Sequence, residues 1–175
     1  MKNLWLAILM VLMSSGVLAA DKKQHIETPA FDKAIAQQMV NSSIQRFKLA
    51  EDISVDDAID SMKLRANVLN FKLVADLPLS EQVEAMGEEA RYMRILAFCD
   101  ALIAKKMVEY NIIFAGFLPC RIAVLEDAEG QGWLVTMNMD MMLHAVDLPP
   151  ELQPLAKQVR DTIYSIVDAG VNGDL

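Results

Sequence analysis

The sequence predicts an α+β domain, an antiparallel-rich sheet backed by helices, and three observations carry that expectation. Short apolar stretches, Phe71–Leu77, Arg94–Cys99 and Cys120–Glu126, have the length and composition of strands. Longer stretches repeat apolar residues every three or four positions, as in Val55, Ala58, Ile59, Met62, Ala66 and Leu69, the spacing of one helical face. Finally, Asp127-Ala128-Glu129-Gly130 sits between Cys120–Glu126 and Trp133–Met139, a turn between two strands of one hairpin.

Taken in order, Met1–Ala20 has the secretory pattern: Lys2, the apolar run Leu4–Met13, then Val17-Leu18-Ala19 as the small-residue cleavage site. That run is shorter than the roughly 20 residues a bilayer span needs. Residues 1–19 are therefore expected to be a signal peptide, and the protein periplasmic or secreted, with no stable membrane anchor after cleavage. Residues 20–46 form a polar leader, Asp21–Pro29, and a short helix marked by Phe31, Ile35 and Met39. Gln45–Ile53 is expected to be extended. Ser54 with Asp57 three residues on is a capping-box signature, opening the helix that carries the Val55–Leu69 stripe.

Phe71–Leu77 alternates as a strand before Pro78. Ser80–Met86 reads as a short helix closed by Gly87, and Arg94–Cys99 as the next strand. Ile103, Met107, Tyr110 and Phe114 mark a helix over Ala101–Phe114. After the hairpin, Pro149-Pro150 opens a last helix with Leu152, Leu155, Val159, Ile163 and Ile166 on one stripe, stopped by Gly170. Residues 47–170 thus form a single domain, with 171–175 as a C-terminal tail.

Composition narrows the function. Against 24 Asp and Glu stand 16 Lys and Arg, a net charge of −8, and removing Lys2 with the signal makes the remainder more acidic still. The basic residues are scattered, so a phosphate backbone would be repelled and nucleic-acid binding is not expected. No Gly-x-Ser-x-Gly, P-loop, His-Glu-x-x-His or dinucleotide fingerprint occurs. Asp140 and Asp147 flank His144, but Glu126, Asp127 and Glu129 read as turn polarity, and no catalytic residue is assigned.

Several of these segments resemble a known family. Leu118-Pro119 opens a strand ending in Glu126-Asp127, Gly130 follows in the turn, then Trp133-Leu134-Val135, and Asn138 with Asp140 closes the block. With the capped helix after Ser54 and the Phe71–Asp76 strand, the stretch from about Phe47 to Gly170 resembles the bacterial domain of unknown function 302 family. The resemblance implies a compact fold like the TATA-box-binding-protein repeat, and a homodimer. It implies no substrate. Two departures from the family pattern introduce sulfur: Cys99-Asp100-Ala101 replaces a Gly-x-Pro, and Met137 replaces an aromatic residue before Asn138.

The only two cysteines are Cys99 and Cys120. An even count in an oxidising compartment favours a disulfide, which in closing a loop of about 20 residues would stabilise the fold by roughly 3 kcal/mol. Parallel strands would hold the two about 15–20 Å apart at opposite sheet edges, beyond bonding reach. Antiparallel neighbours would share an edge, and the antiparallel-rich fold that the resemblance implies makes a Cys99–Cys120 bond the expectation. Two buried thiols, or a metal or redox site, are the other readings.

Met137, Met139 and Met141 alternate, so an extended chain puts them on one face with Trp133 and Val135, and His144 lies three residues beyond. Thioethers suit Cu(I) or an axial position on haem, although methionine is more often an adaptable core filler. Two functions follow. One is a non-catalytic exported binding or accessory protein with an apolar ligand site. The other is a copper or haem-linked redox module built on Met137, Met139, Met141 and His144, with Cys99 and Cys120 as further candidates.

Overall fold

The computed structural model describes Ala30 and residues 32–174. The expected signal peptide and polar leader lie outside these residues. In chain order the elements are α1 (Lys33–Ser43), β1 (Ile44–Lys48), α2 (Val55–Val68), β2 (Lys72–Pro78), α3 (Leu79–Ala85), β3 (Met93–Cys99) and α4 (Ala101–Tyr110). A 3-10 turn at Ile112–Phe117 leads into β4 (Cys120–Glu126) and β5 (Gly132–Met137), followed by α5 (Met139–His144) and α6 (Gln153–Asn172). The five strands form one sheet in the order β1-β5-β4-β3-β2, with every neighbouring pair antiparallel. The expected α+β class with an antiparallel sheet and backing helices is what the chain adopts.

Helices α2 and α6 cover one face of the sheet. Ala58, Ile59 and Met62 from α2 and Ile163, Ile166 and Val167 from α6 pack on Leu96, Phe98, Ile122, Val124 and Leu134. These side chains are almost fully removed from water. Helix α2 begins where its capping box predicts: the Ser54 hydroxyl accepts the Asp57 N–H at 3.1 Å and donates to the Asp57 carboxylate at 2.5 Å. At the β2 edge, Arg94 grips Asp76 with two hydrogen bonds, 2.5 and 3.0 Å, and Lys63 from α2 adds a second cation at 3.2 Å. Pro78 is tolerated in β2 because an edge strand has no partner on its outer side.

On the opposite face the alternate residues form apolar rows set by the register. Leu77, Ile95, Ala123 and Val135 align across four strands, and Met93, Leu125 and Trp133 across three. All of them remain at least partly exposed.

Four boundaries differ from the sequence expectation. The extended segment is only β1; the chain leaves the sheet at Leu49, whose N–H donates to Gly132 O. Helix α4 stops at Tyr110 because Asn111 takes an extended conformation and its side chain caps the 3-10 turn at Ile113 N. Strand β5 ends at Met137, because the Asn138 side chain accepts the Met141 N–H and the Tyr164 hydroxyl accepts the Met139 N–H, fixing the start of α5. Met139 and Met141 are therefore helical, and the expected alternating methionine face does not form.

Gly170 does not stop the last helix either; it lies buried within α6, and Gly173, at φ 68°, is the left-handed cap. A β-carbon at Gly170 would stand 2.7 Å from Met62 Cγ and 2.9 Å from Leu134 Cδ1. The glycine lets α6 approach α2 and the sheet closely. On the α6 stripe, Leu152, Ile163 and Ile166 are buried, whereas Leu155 and Val159 are only partly so.

Candidate functional site

Three central strands meet at one end of the sheet, where β3 finishes at Cys99, β4 starts at Cys120 and β5 finishes at Met137. Helix α4 and the 3-10 turn join β3 to β4 and wall this end, while α5, the loop after it and the first half of α6 close the other side. Between them lies a cavity of about 80 Å³. Its lining is apolar, from Phe71, Ile103, Phe114, Leu143, Ala156 and Val159 among others, and it includes six sulfur-bearing residues: Cys99, Met107, Cys120, Met137, Met139 and Met142. Both cysteines of the chain and four of its twelve methionines thus border one space.

Among the described residues Asp100 is the one carboxylate in the lining. Its Oδ1 caps α4 by accepting the Leu102 and Ile103 N–H groups at 2.9 and 3.0 Å. Both cysteines are free thiols, so the expected Cys99–Cys120 bond is not present. The register explains why neighbouring, antiparallel strands do not suffice: Phe98, not Cys99, stands opposite Cys120. Successive side chains on a strand point to opposite faces, so Cys99 is one step out of phase for a direct cross-strand bond. Burial pushes the Cys120 thiol up to about 11, helped by the nearby Cys99, and burial with the adjacent Asp100 raises Cys99 as well. Both are held as neutral thiols at pH 7.

The structure separates the residues singled out from the sequence. Met137 and Met139 line the cavity, whereas Met141 and His144 do not. His144 is exposed, with Nδ1 2.8 Å from Asp140 O in its own helix. Asp140 is paired outward with Arg160, Oδ1 to Nε at 2.7 Å, and that guanidinium holds its carboxyl below the usual carboxylate range. Neither His144 nor Asp140 is therefore set up as an acid–base pair on the cavity. Among the described residues no group of three or more His, Cys, Asp or Glu side chains is placed to hold a metal ion.

Met107 and Met142 were not singled out from the sequence. Met107 lies on the inward stripe of α4, where a methionine reads as core. Met142 follows Met139 at helical spacing, a relation visible only once Asn138 is recognised as a helix cap rather than the end of a strand. The hairpin turn is ordered as its polarity implied. Asp127 Oδ1 accepts the Glu129 and Gln131 N–H groups at 3.0 and 2.9 Å, and Oδ2 accepts the Trp133 indole N–H at 2.7 Å.

Residues 47–170 match the family model described as Domain of unknown function DUF302. Among solved structures, the chain is similar to the crystal structure of an uncharacterized conserved protein DUF302 from Bacillus stearothermophilus. The two share 16% identity, with a TM-score of 0.59 over 72% of this chain and 96% of that one. At that identity the likeness concerns the fold. No curated protein matches the sequence.

Proposed function

The chain belongs to the family described as Domain of unknown function DUF302, and on that premise we propose that it is an exported, non-catalytic binding or accessory protein. It holds a small ligand in the sulfur-lined cavity and pairs with a second copy of itself. The observation that carries the binding reading is the cavity: an apolar space at the sheet end whose only carboxylate among the described residues is engaged as a helix cap. Such a lining offers contact and soft donors, its two thiols are raised by burial, and among the described residues no base lines it beside them, which favours binding over turnover. Haem has little support: porphyrin needs far more room than about 80 Å³, and His144 is outside the space.

Export rests on Lys2, Leu4–Met13 and Val17-Leu18-Ala19. Self-association has a candidate surface in the outer sheet face, where Ile95, Ala123 and Val135 form one partly exposed apolar row. Light scattering on the processed protein should give a dimer, and Ile95→Glu should give a monomer. A monomeric wild type would reject the pairing.

Native mass spectrometry of protein recovered from the periplasm of an expressing bacterium tests the rest. The chain should begin at Ala20 or Asp21 and carry a small bound mass that denaturation releases. Ala156→Leu, which fills the cavity wall, should lose that mass while retaining a cooperative thermal transition. A cytoplasmic, uncleaved chain would refute export. A wild type without bound mass, taking up no added small apolar or metal ligand, would refute the binding reading.

A further inference from the structure

Three features of the cavity bear on what it holds. At about 80 Å³ it is well below the roughly 300–1,000 Å³ of sites that bury organic ligands, so its occupant is an ion or a molecule of a few atoms. Its donors are soft: the thioethers of Met107, Met137, Met139 and Met142 and the thiols of Cys99 and Cys120. Hard or borderline donors are scarce: among the described residues no histidine lines the cavity and no cluster of three His, Cys, Asp or Glu groups is found. Thioether and thiol sulfur, beside a single carboxylate whose Oδ1 is engaged as the α4 cap, discriminates among metals against Mg²⁺, Ca²⁺ and Mn²⁺ and toward Cu(I).

Resting on the cavity-binding reading, we propose that the cavity is a site for monovalent copper, held by sulfur from the ends of three adjacent strands and from two helices. Met139 and Met142 stand three residues apart in α5, on one side of the helix, and both line the cavity. Met137 ends the strand just before them, and Cys99 and Cys120 end and begin the two strands alongside. Coordination by a thiol is a balanced exchange: Cu(I) takes the sulfur lone pair, the thiol proton leaves to solvent, and the copper–thiolate unit is neutral. No electron is transferred. A neutral unit is the form an apolar enclosure accepts at least cost, and thioethers complete the coordination without adding charge. The site differs from the copper reading drawn from sequence alternation, because Met107 and Met142 take the places of Met141 and His144 beside the two cysteines.

The test is an anaerobic titration of the folded, processed protein with Cu(I) buffered by a competing chelator, with ultraviolet absorption reporting sulfur-to-copper charge transfer. One Cu(I) per chain is expected, with sulfur-only scattering around copper in X-ray absorption. Met139→Leu, Met137→Leu and Cys99→Ala should each weaken retention at least about tenfold; loss of an outer partner alone costs 10–100-fold at metal sites. Leucine is close to methionine in volume, so the methionine variants should stay folded. Met141→Leu, His144→Ala and Met86→Leu should bind as the wild type does. Absence of uptake by the wild type overturns the copper site, as does equal affinity in wild type and cavity variants. A retained organic adduct without Cu(I) uptake overturns copper but leaves the binding reading standing, whereas no ligand of either kind removes both.

Discussion

At the scale of single residues, the sulfur atoms were visible in the sequence but their grouping was not. Alternation at Met137, Met139 and Met141 assumes an extended chain, and one side chain, Asn138, cancels that assumption by capping a helix at Met141 N. Asp127 was legible as turn polarity, because a carboxylate ahead of a glycine can accept the turn's own N–H groups. That it also accepts the Trp133 indole follows only from the folded register. The thiols give a test at this scale. Burial raises both, so alkylation by iodoacetamide in the native protein should be slow at pH 7 and accelerate as pH approaches the raised values. Cys99, the less buried, should react before Cys120. Two modified thiols per unfolded, unreduced chain are expected; none would restore the disulfide.

At the scale of elements, type was more legible than extent. The Ser54 capping box located α2 because the signal is local, two side chains three residues apart. The end of α6 was misplaced because glycine has two uses, a left-handed cap or a close approach, and sequence does not distinguish Gly170 from Gly173. The backbone does: Gly173 has a left-handed φ of 68°, whereas Gly170 is helical and owes its place to close packing, since a β-carbon there would press on Met62 and Leu134. Gly170→Ala should therefore destabilise the fold by about 1–3 kcal/mol, despite alanine's better helix propensity. Chemical denaturation measures this directly, and a stabilised variant would show that α6 shifts freely on α2. The α6 stripe was only partly legible, since Leu155 shares spacing with Ile163 but not its burial.

Across the whole molecule, the fold class was readable because two hydrophobic periods, strand and helix, alternate along the chain. Strand order was not, since it depends on long-range pairing such as β1 with β5, whose positions are far apart in sequence. The carboxylates give a molecule-wide prediction. Arg94 holds Asp76 below its ordinary value of 3.8, and Asp140 and Asp161 are likewise lowered, chiefly by Arg160 and Lys157 respectively. A depressed acid stabilises the folded state above its unfolded pKa, and that contribution is lost as pH falls through its folded pKa. Thermal stability should thus change little with these groups from pH 7 to about 5 and decline below about pH 4. Asp76, the least exposed of the three, should dominate: Asp76→Asn should lower the neutral plateau and flatten the acid limb. An unchanged acid limb in that variant would deny Asp76 the role.

The connection between β3 and β4 has a consequence of a different kind. These strands are antiparallel neighbours, which a turn of a few residues would join, yet the chain takes an excursion through α4 and the 3-10 turn before returning at Cys120. The detour is not needed to set the register of the sheet, and α2 and α6 supply the core on the sheet face without it. It acts as a cassette clipped onto a self-sufficient frame, bringing Met107 and Phe114 over the open end. A change of length or sequence in this excursion alters the wall of the cavity while leaving the strand pairing of the frame in place.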